Sequence, residues 1–162
     1  MKINDKIEKM MWSIAFPGLG QLLNGQIVKG IFFMILELLI NHYSNLNSII
    51  IYSFTGNIAE AVNNANYQWL MFYPSLYLYV IWDAYKYAKG DNSPMAFLPY
   101  VFAAYLGTVG TVYSPSFNIN GVLFGPVWLP LICMAIGIFA GYIIQKQICK
   151  KINLKLDHKA KK

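Results

Sequence analysis

Glu37 is the residue of this sequence best placed to do chemistry, because it interrupts the apolar run "IFFMILELLI" eight residues after Lys29. On a helix it sits about 12 Å deeper than Lys29. A carboxylate at that depth in a bilayer costs about a few kcal/mol or more and is by default a functional-site candidate. The chemistry would be a proton or cation site, continued outward by Asn41 and His42. The plainer reading is preferred: a neutral acid, protonated or hydrogen-bonded to tyrosines such as Tyr73, Tyr77 or Tyr105, that pins helices together or faces a wet cavity. A lone histidine such as His42 is more often an interfacial residue.

Other reactive side chains form no constellation. Cys133 and Cys149 are sixteen residues apart, about 24 Å along one helix, and cannot pair. There is no C-x-x-C, no H-E-x-x-H, no phosphate-cradling loop and no Ser with a usable His and Asp. Glu60 and Asp91 read as loop carboxylates and His158 as a solvated tail residue. A non-enzymatic protein without cofactor or metal is expected.

The elements that must position these groups are membrane helices. With 57% hydrophobic and 12% charged residues, the chain departs from soluble composition, which is about half apolar and a quarter charged. At 162 residues it has room for about four spans of roughly 20 residues in a single domain. All 13 basic residues are lysine, which with the high Ile and Asn content points towards a bacterium with an AT-rich genome. The net charge of +6 lacks the basic, aromatic-interleaved stripe of a nucleic-acid binder. Membrane lipids, not nucleic acid, are the expected partners, together with a membrane-protein partner or further copies of the chain.

Apolar runs fall at 11–23, 27–40, 67–85, 95–113 and 122–144. The first reaches only about 20 Å, short of the roughly 30 Å hydrocarbon core, so it lies at the surface or enters without crossing. The expected organisation is an all-α, four-span bundle. An interfacial or re-entrant helix and Gly-rich elbow occupy 1–26, spans follow at 27–43, 67–85, 95–113 and 122–144, and a basic tail at 145–162 lies along anionic lipids. Ile49 to Tyr52 would lengthen the first span and Ile58 to Val62 would make a short helical turn, within a connector at 41–66. Ser93 is expected to cap the third span, with Pro94 at its first position.

With the first run not crossing, every lysine falls in 1–29, 86–94 or 145–162, and none in 41–66 or 114–120. That is the positive-inside pattern, with both termini cytoplasmic in a bacterial inner membrane. Trp12 and Trp82 then mark the inner boundary, Trp69 and Trp128 the outer one.

The elbow reads "FPGLGQLLNGQIVKG". Pro17 with the glycines ends a helix, Asn24-Gly25 is a turn pair, and Gln21, Asn24 and Gln26 can satisfy bared backbone groups. Gly30 lets another helix approach. The pattern Pro17-Gly18-x-Gly20-Gln21-x-x-Asn24-Gly25-x-x-x-Lys29-Gly30, followed by "YLYVIWDAYKYAK", resembles the bacterial small membrane proteins related to the two-transmembrane-domain family. The resemblance covers residues 12–89 and implies a span ending in an aspartate near the inner face. Asp83 is that residue, and it is expected to lock the elbow by accepting backbone N–H groups or pairing with Lys29 or Lys86. Leu23 stands where a tyrosine is common, and the Asp-Arg-Phe inter-span motif is absent. The family has no well-defined biochemical activity.

Small residues recur every four positions in the last two spans: Ala103, Gly107 and Thr111, then Cys133, Gly137 and Gly141. They permit close helix packing, within the hairpin by preference and across a homodimer as the alternative. The expected function is a membrane accessory or scaffold protein acting through helix contacts. The alternative is a homo-oligomeric channel or transporter using Glu37.

Overall fold

The computed structural model describes residues 4–160, with side chains described as far as Ile152. Lys2, Lys161 and Lys162 lie outside the described residues, as do the side chains of Lys155, His158 and Lys159.

The chain begins with a helix that local sequence favours. Asn4 caps it by accepting from Lys6 N at 3.1 Å, and Asp5 and Glu8 occupy its first turn, where the helix dipole prefers negative charge. This helix, α1 (Asp5–Ala15), stops before Pro17. A one-turn helix α2 (Leu19–Leu23) leads to α3 (Ile27–Ser44). The first half closes with α4 (Leu46–Phe54), α5 (Ile58–Asn64) and α6 (Tyr67–Leu70). The second half contains α7 (Tyr73–Tyr87), α8 (Leu98–Tyr113), a small hairpin of β1 (Asn118–Ile119) and β2 (Val122–Leu123), and α9 (Gly125–Ala160). The fold is an all-α bundle.

The interior of this bundle is mixed and its outer surface is apolar. The buried positions of α3 include Phe33, Glu37, Ile40 and Ser44, a stripe at helical spacing of which half is polar. Its exposed positions include Ile31, Phe32, Ile35, Leu38 and Leu39. Elsewhere Lys6, Ser13, Gln21, Asp83 and Thr111 are buried, while Tyr105, Phe139 and Ile136 face outward. A soluble protein buries its large apolar side chains and leaves charges in water. Two helices, α3 and the stretch Gly125–Ile152 of α9, are long and apolar enough to cross a membrane.

Several boundaries differ from the sequence expectation. Asn45 takes φ 60° and separates α3 from α4, so Ile49 to Tyr52 do not prolong the first span. Instead Leu46, Ile49, Ala61 and Leu70 form a small core of their own. Asn45 Nδ2 donates to Asn64 O at 2.9 Å, and Trp128 Nε1 to Ser53 O at 3.2 Å. The connector at 41–66 is thus a packed cap over the start of α9. The 67–85 run divides into α6 and α7, with Pro74 in the first turn of α7.

Ser93 does not cap α8, and Pro94 does not open it. Met95 at φ 55° breaks the chain there, and Gln145 Nε2 donates to both Ser93 Oγ and Pro94 O at 3.1 Å. The helix starts at Leu98, with Pro99 in its first turn. Val122 and Leu123, expected in the last span, pair with Ile119 and Asn118 through a turn at Asn120-Gly121. That helix begins instead at Gly125 and continues past 144 through the tail to Ala160.

Candidate functional site

The chain's polar groups converge where α1, α2 and α3 meet the C-terminal half of α7. Asp5 accepts from Lys89 N at 2.7 Å, and the Tyr77 hydroxyl donates to Ile14 O at 2.8 Å. Helix α1 therefore runs antiparallel along α7, entering the bundle instead of lying across its end. The Lys9 ammonium beside Asp5, aided by the Lys89 N–H, holds the Asp5 carboxyl below the usual carboxylate range.

The return from α1 depends on two glycines for different reasons. Gly18 has φ 102°, and a Cβ there would lie 2.5 Å from Gly30 O and 2.8 Å from Met34 Cγ. Gly20 has ordinary φ but sits against Ala84, whose Cβ would be 2.7 Å from its own. Gly30 in turn lies under Leu22, with Leu22 Cδ2 2.6 Å from a notional Cβ. Gly25 differs: its φ is 77°, and nothing lies within 4 Å of a Cβ. Only backbone freedom requires glycine there.

Asp83 occupies the centre of this elbow, with 3% of its surface exposed. Its Oδ1 accepts from Lys29 Nζ at 2.5 Å and its Oδ2 from Gln21 Nε2 at 3.1 Å. The partners are these two side chains. Lys86 is not bonded to it; its ammonium lies 5.1 Å from the Tyr87 ring centroid. Gln21 is fully buried, donating also to Val80 O at 2.8 Å and accepting from Ser13 Oγ at 3.5 Å. Asn24 Nδ2 donates to Ala84 O at 2.8 Å. Pro17 is buried at the first turn.

The elbow also closes the C-terminal end of α7, whose last carbonyls lack helical partners. Ala84 O is taken by Asn24, Tyr85 O by Lys6 Nζ at 3.2 Å, and Lys86 O by Asn92 Nδ2 at 3.1 Å. Lys6 is 4% exposed, donates also to Asn92 Oδ1 at 2.7 Å and Ala88 O at 3.4 Å, and lies 4.8 Å from the Tyr85 ring centroid. A helix C-terminus carries partial negative charge, so these carbonyls serve a buried ammonium in place of a carboxylate. Sequence reasoning treated Lys6 only as a topology signal and did not single out Ser13 or Asn92. Their partners are distant in the chain, and no local spacing marks them.

Glu37 lies apart from this elbow. It is 6% exposed, with Tyr73 and Tyr77 beside it. Its Oε2 is buried without a hydrogen-bond partner among the described residues. Tyr105, at 68% exposure, faces away. His42 is exposed against Tyr43, and Asn41 Nδ2 donates to Asn47 Oδ1 at 3.1 Å. Glu37, Asn41 and His42 form no common hydrogen-bonded site.

The small-residue stripes meet within the chain. A Cβ at Gly137 would lie 2.5 Å from Ala103 Cα, one at Gly141 2.6 Å from Pro99 Cα, and one at Gly107 2.5 Å from Met134 Cγ. Cys133 packs against Gly110, with Sγ 2.9 Å from a notional Gly110 Cβ. Thr111 Oγ1 donates back to Gly107 O at 3.0 Å. Gly137 and Gly141 are therefore covered by α8. Gly110, one position off the four-residue repeat, escaped the sequence pattern. No group of three or more His, Cys, Asp or Glu among the described residues could hold a metal ion.

Compared with protein-family models, curated proteins and solved structures, the chain matches none.

Proposed function

We propose that this chain is a non-enzymatic accessory or scaffold protein of a bacterial inner membrane, acting through helix contacts. It has four crossing segments and both termini on the cytoplasmic side. The observation that carries the reading is the apolar outer surface: isoleucine, leucine and phenylalanine cover the outside, while Lys6, Gln21, Glu37 and Asp83 are enclosed. An apolar surroundings makes that distribution favourable, and water does not.

Length and charge support four crossings. Helix α7, with 15 residues, rises about 22 Å, and the turns at Met71 and Phe72 with α6 before it extend the apolar run towards the roughly 30 Å of a hydrocarbon core. Helix α8 adds a rise of about 24 Å, extended by the turns before it. Lys6, Lys29 and Lys86 flank the elbow, and Lys146 follows Gln145 beside the α7–α8 loop. This lysine-bearing end is the cytoplasmic one under the positive-inside rule. The cap of α4 to α6 and the β-hairpin lie at the opposite, lysine-free end. The elbow motif's resemblance to the two-transmembrane-domain relatives fits a structural role, because Gln21, Asn24 and Lys29 are occupied with α7, although Gln26 Oε1 is buried without a partner among the described residues.

The orientation is tested by single cysteines at residue 91 or 120 in a chain with Cys133 and Cys149 replaced by Ala. An impermeant maleimide applied to intact cells should label Asn120→Cys and leave Asp91→Cys untouched; the reverse pattern would invert the topology. Native purification in mild detergent, with mass spectrometry and light scattering, tests the accessory role. A stoichiometric membrane-protein partner is expected, and a partner-free closed oligomer would overturn that role.

The second reading, a homo-oligomeric channel or transporter, draws on the unpartnered Glu37 Oε2. A buried polar atom without a partner is uncommon and calls for an explanation. Proton flux in reconstituted vesicles that disappears in Glu37→Gln would favour it.

A further inference from the structure

A groove of about 750 Å³ runs between α1 and α9 over a floor made by α7 and the start of α8. Its depth is set by α9, from Leu131 to Gln145, a rise of about 21 Å. One leaflet of a roughly 30 Å hydrocarbon core is about 15 Å deep. The groove therefore spans the hydrocarbon of one leaflet and little more.

Its two ends differ in chemistry. The deep end is lined by Leu131, Met134 and Ile14, with the Tyr77 hydroxyl there engaged by Ile14 O. At the lysine-bearing end, Ser93 and Gln145 form the rim, joined by their hydrogen bond. Lys146 stands next to them, exposed, its ammonium 5.1 Å from the ring centroid of Tyr142, another lining residue. That volume lies within the roughly 300–1,000 Å³ of ordinary small-molecule sites.

We propose that this groove holds one acyl chain of an anionic glycerophospholipid from the inner leaflet, with its phosphate at Lys146 and Ser93. The apolar wall takes the chain. The ammonium supplies the charge complement, and the Ser93 hydroxyl, which accepts from Gln145 Nε2 and keeps its own hydrogen to donate, stands at the rim where a phosphate or glycerol ester oxygen would sit. A zwitterionic lipid fits the wall equally well but carries no net charge for Lys146 to select. The inference rests on the membrane reading above.

The test uses the full chain reconstituted in vesicles of phosphatidylglycerol and phosphatidylethanolamine in equal parts, extracted into mild detergent and weighed by native mass spectrometry. One phosphatidylglycerol per chain, retained in preference to phosphatidylethanolamine, is expected. Lys146→Gln should lower that retention roughly tenfold, the effect of losing one charge-assisted contact, with thermal unfolding unchanged. Ala135→Trp, which fills the groove from α9, should abolish retention of either lipid. Should Ala135→Trp not fold, Lys146→Gln alone decides. Equal retention of both lipids, a Lys146→Gln protein that keeps its preference, or a dimer mass without lipid would each overturn the proposal. Vesicle flotation separates the two readings. A chain that stays in the aqueous phase sinks the membrane reading, whereas one that floats without retaining lipid sinks only the groove.

Discussion

Lys29, in the first turn of α3, pairs with Asp83, near the end of α7 and 54 residues later. The two ends of the pair are unequal: the Asp83 side chain is 4% exposed and that of Lys29 33%. Removing the lysine strands a buried carboxylate, whereas removing the carboxylate leaves an ammonium able to reach water. Lys29→Gln should therefore cost about 3 kcal/mol and Asp83→Asn about 1–2 kcal/mol. Unfolding of the purified protein in detergent at near-neutral pH measures both, and a larger loss for Asp83→Asn would contradict the asymmetry.

The elbow glycines should separate by mechanism. Gly25→Ala meets no neighbour and should cost about 1–2 kcal/mol from its left-handed backbone alone. Gly18→Ala adds collisions with Gly30 O and Met34 to the same strain and should exceed 3 kcal/mol, roughly the sum of strain and overpacking. Equal unfolding midpoints for the two variants would show that the close approach of α2 and α3 is not rigid.

The α8–α9 seam predicts a stability effect without a change of assembly. Gly137→Leu drives a side chain into the α8 backbone at Phe102 and Ala103 and should destabilise by about 3 kcal/mol or more. Light scattering should report the same oligomeric mass as wild type at temperatures where the variant is folded. A variant that alone becomes monomeric would return the Gly137–Gly141 face to a role between copies.

Glu37, buried beside Tyr73, is expected to tolerate its amide isostere. Glu37→Gln is expected to change stability by less than about 1 kcal/mol, while Glu37→Ala leaves a buried void and should lose about 2–3 kcal/mol. A Glu37→Gln protein as damaged as Glu37→Ala would mean that the charged form is needed.

Acid should loosen the start of α1. The Asp5 carboxyl titrates below its unfolded value because Lys9 and the Lys89 N–H favour the charged form. Its contribution is present above the ordinary carboxylate pKa and is lost as pH falls through the lowered folded value. Protection factors of the α1 amides, referred to the intrinsic exchange rate at each pH, should fall across that acid window in wild type. In Asp5→Asn they should already be lower at neutral pH and lack that step. An identical pH profile for both proteins would remove Asp5 from the docking of α1.

The elbow was legible in the sequence because glycine, proline and amide residues have few other reasons to cluster between two apolar runs. Asp83 was legible for a similar reason, as a carboxylate ending an apolar helix. The break at Asn45 and the start of α8 at Leu98 were not. Both depend on a residue taking positive φ, Asn45 and Met95, held by partners elsewhere in the chain. The hairpin at Asn118–Leu123 was masked because its Val122-Leu123 strand is as apolar as the helix after it. For Lys6 the sequence shows a charge near the inner boundary, and nothing local to it shows that its ammonium is enclosed by distant oxygens.

That enclosure bears on how the protein is made. The carbonyl of Ala88 that helps receive Lys6 lies 82 residues further along the chain, so at about 5–20 residues per second it is synthesised roughly 4–16 s later. Throughout that interval α1 has a charge to place and no helix C-terminus to receive it, and must wait in water or at the headgroups. The N-terminus of this protein is written first and docked late: a nascent chain arrested before α7 emerges should leave α1 open to protease, and one arrested after it has inserted should not.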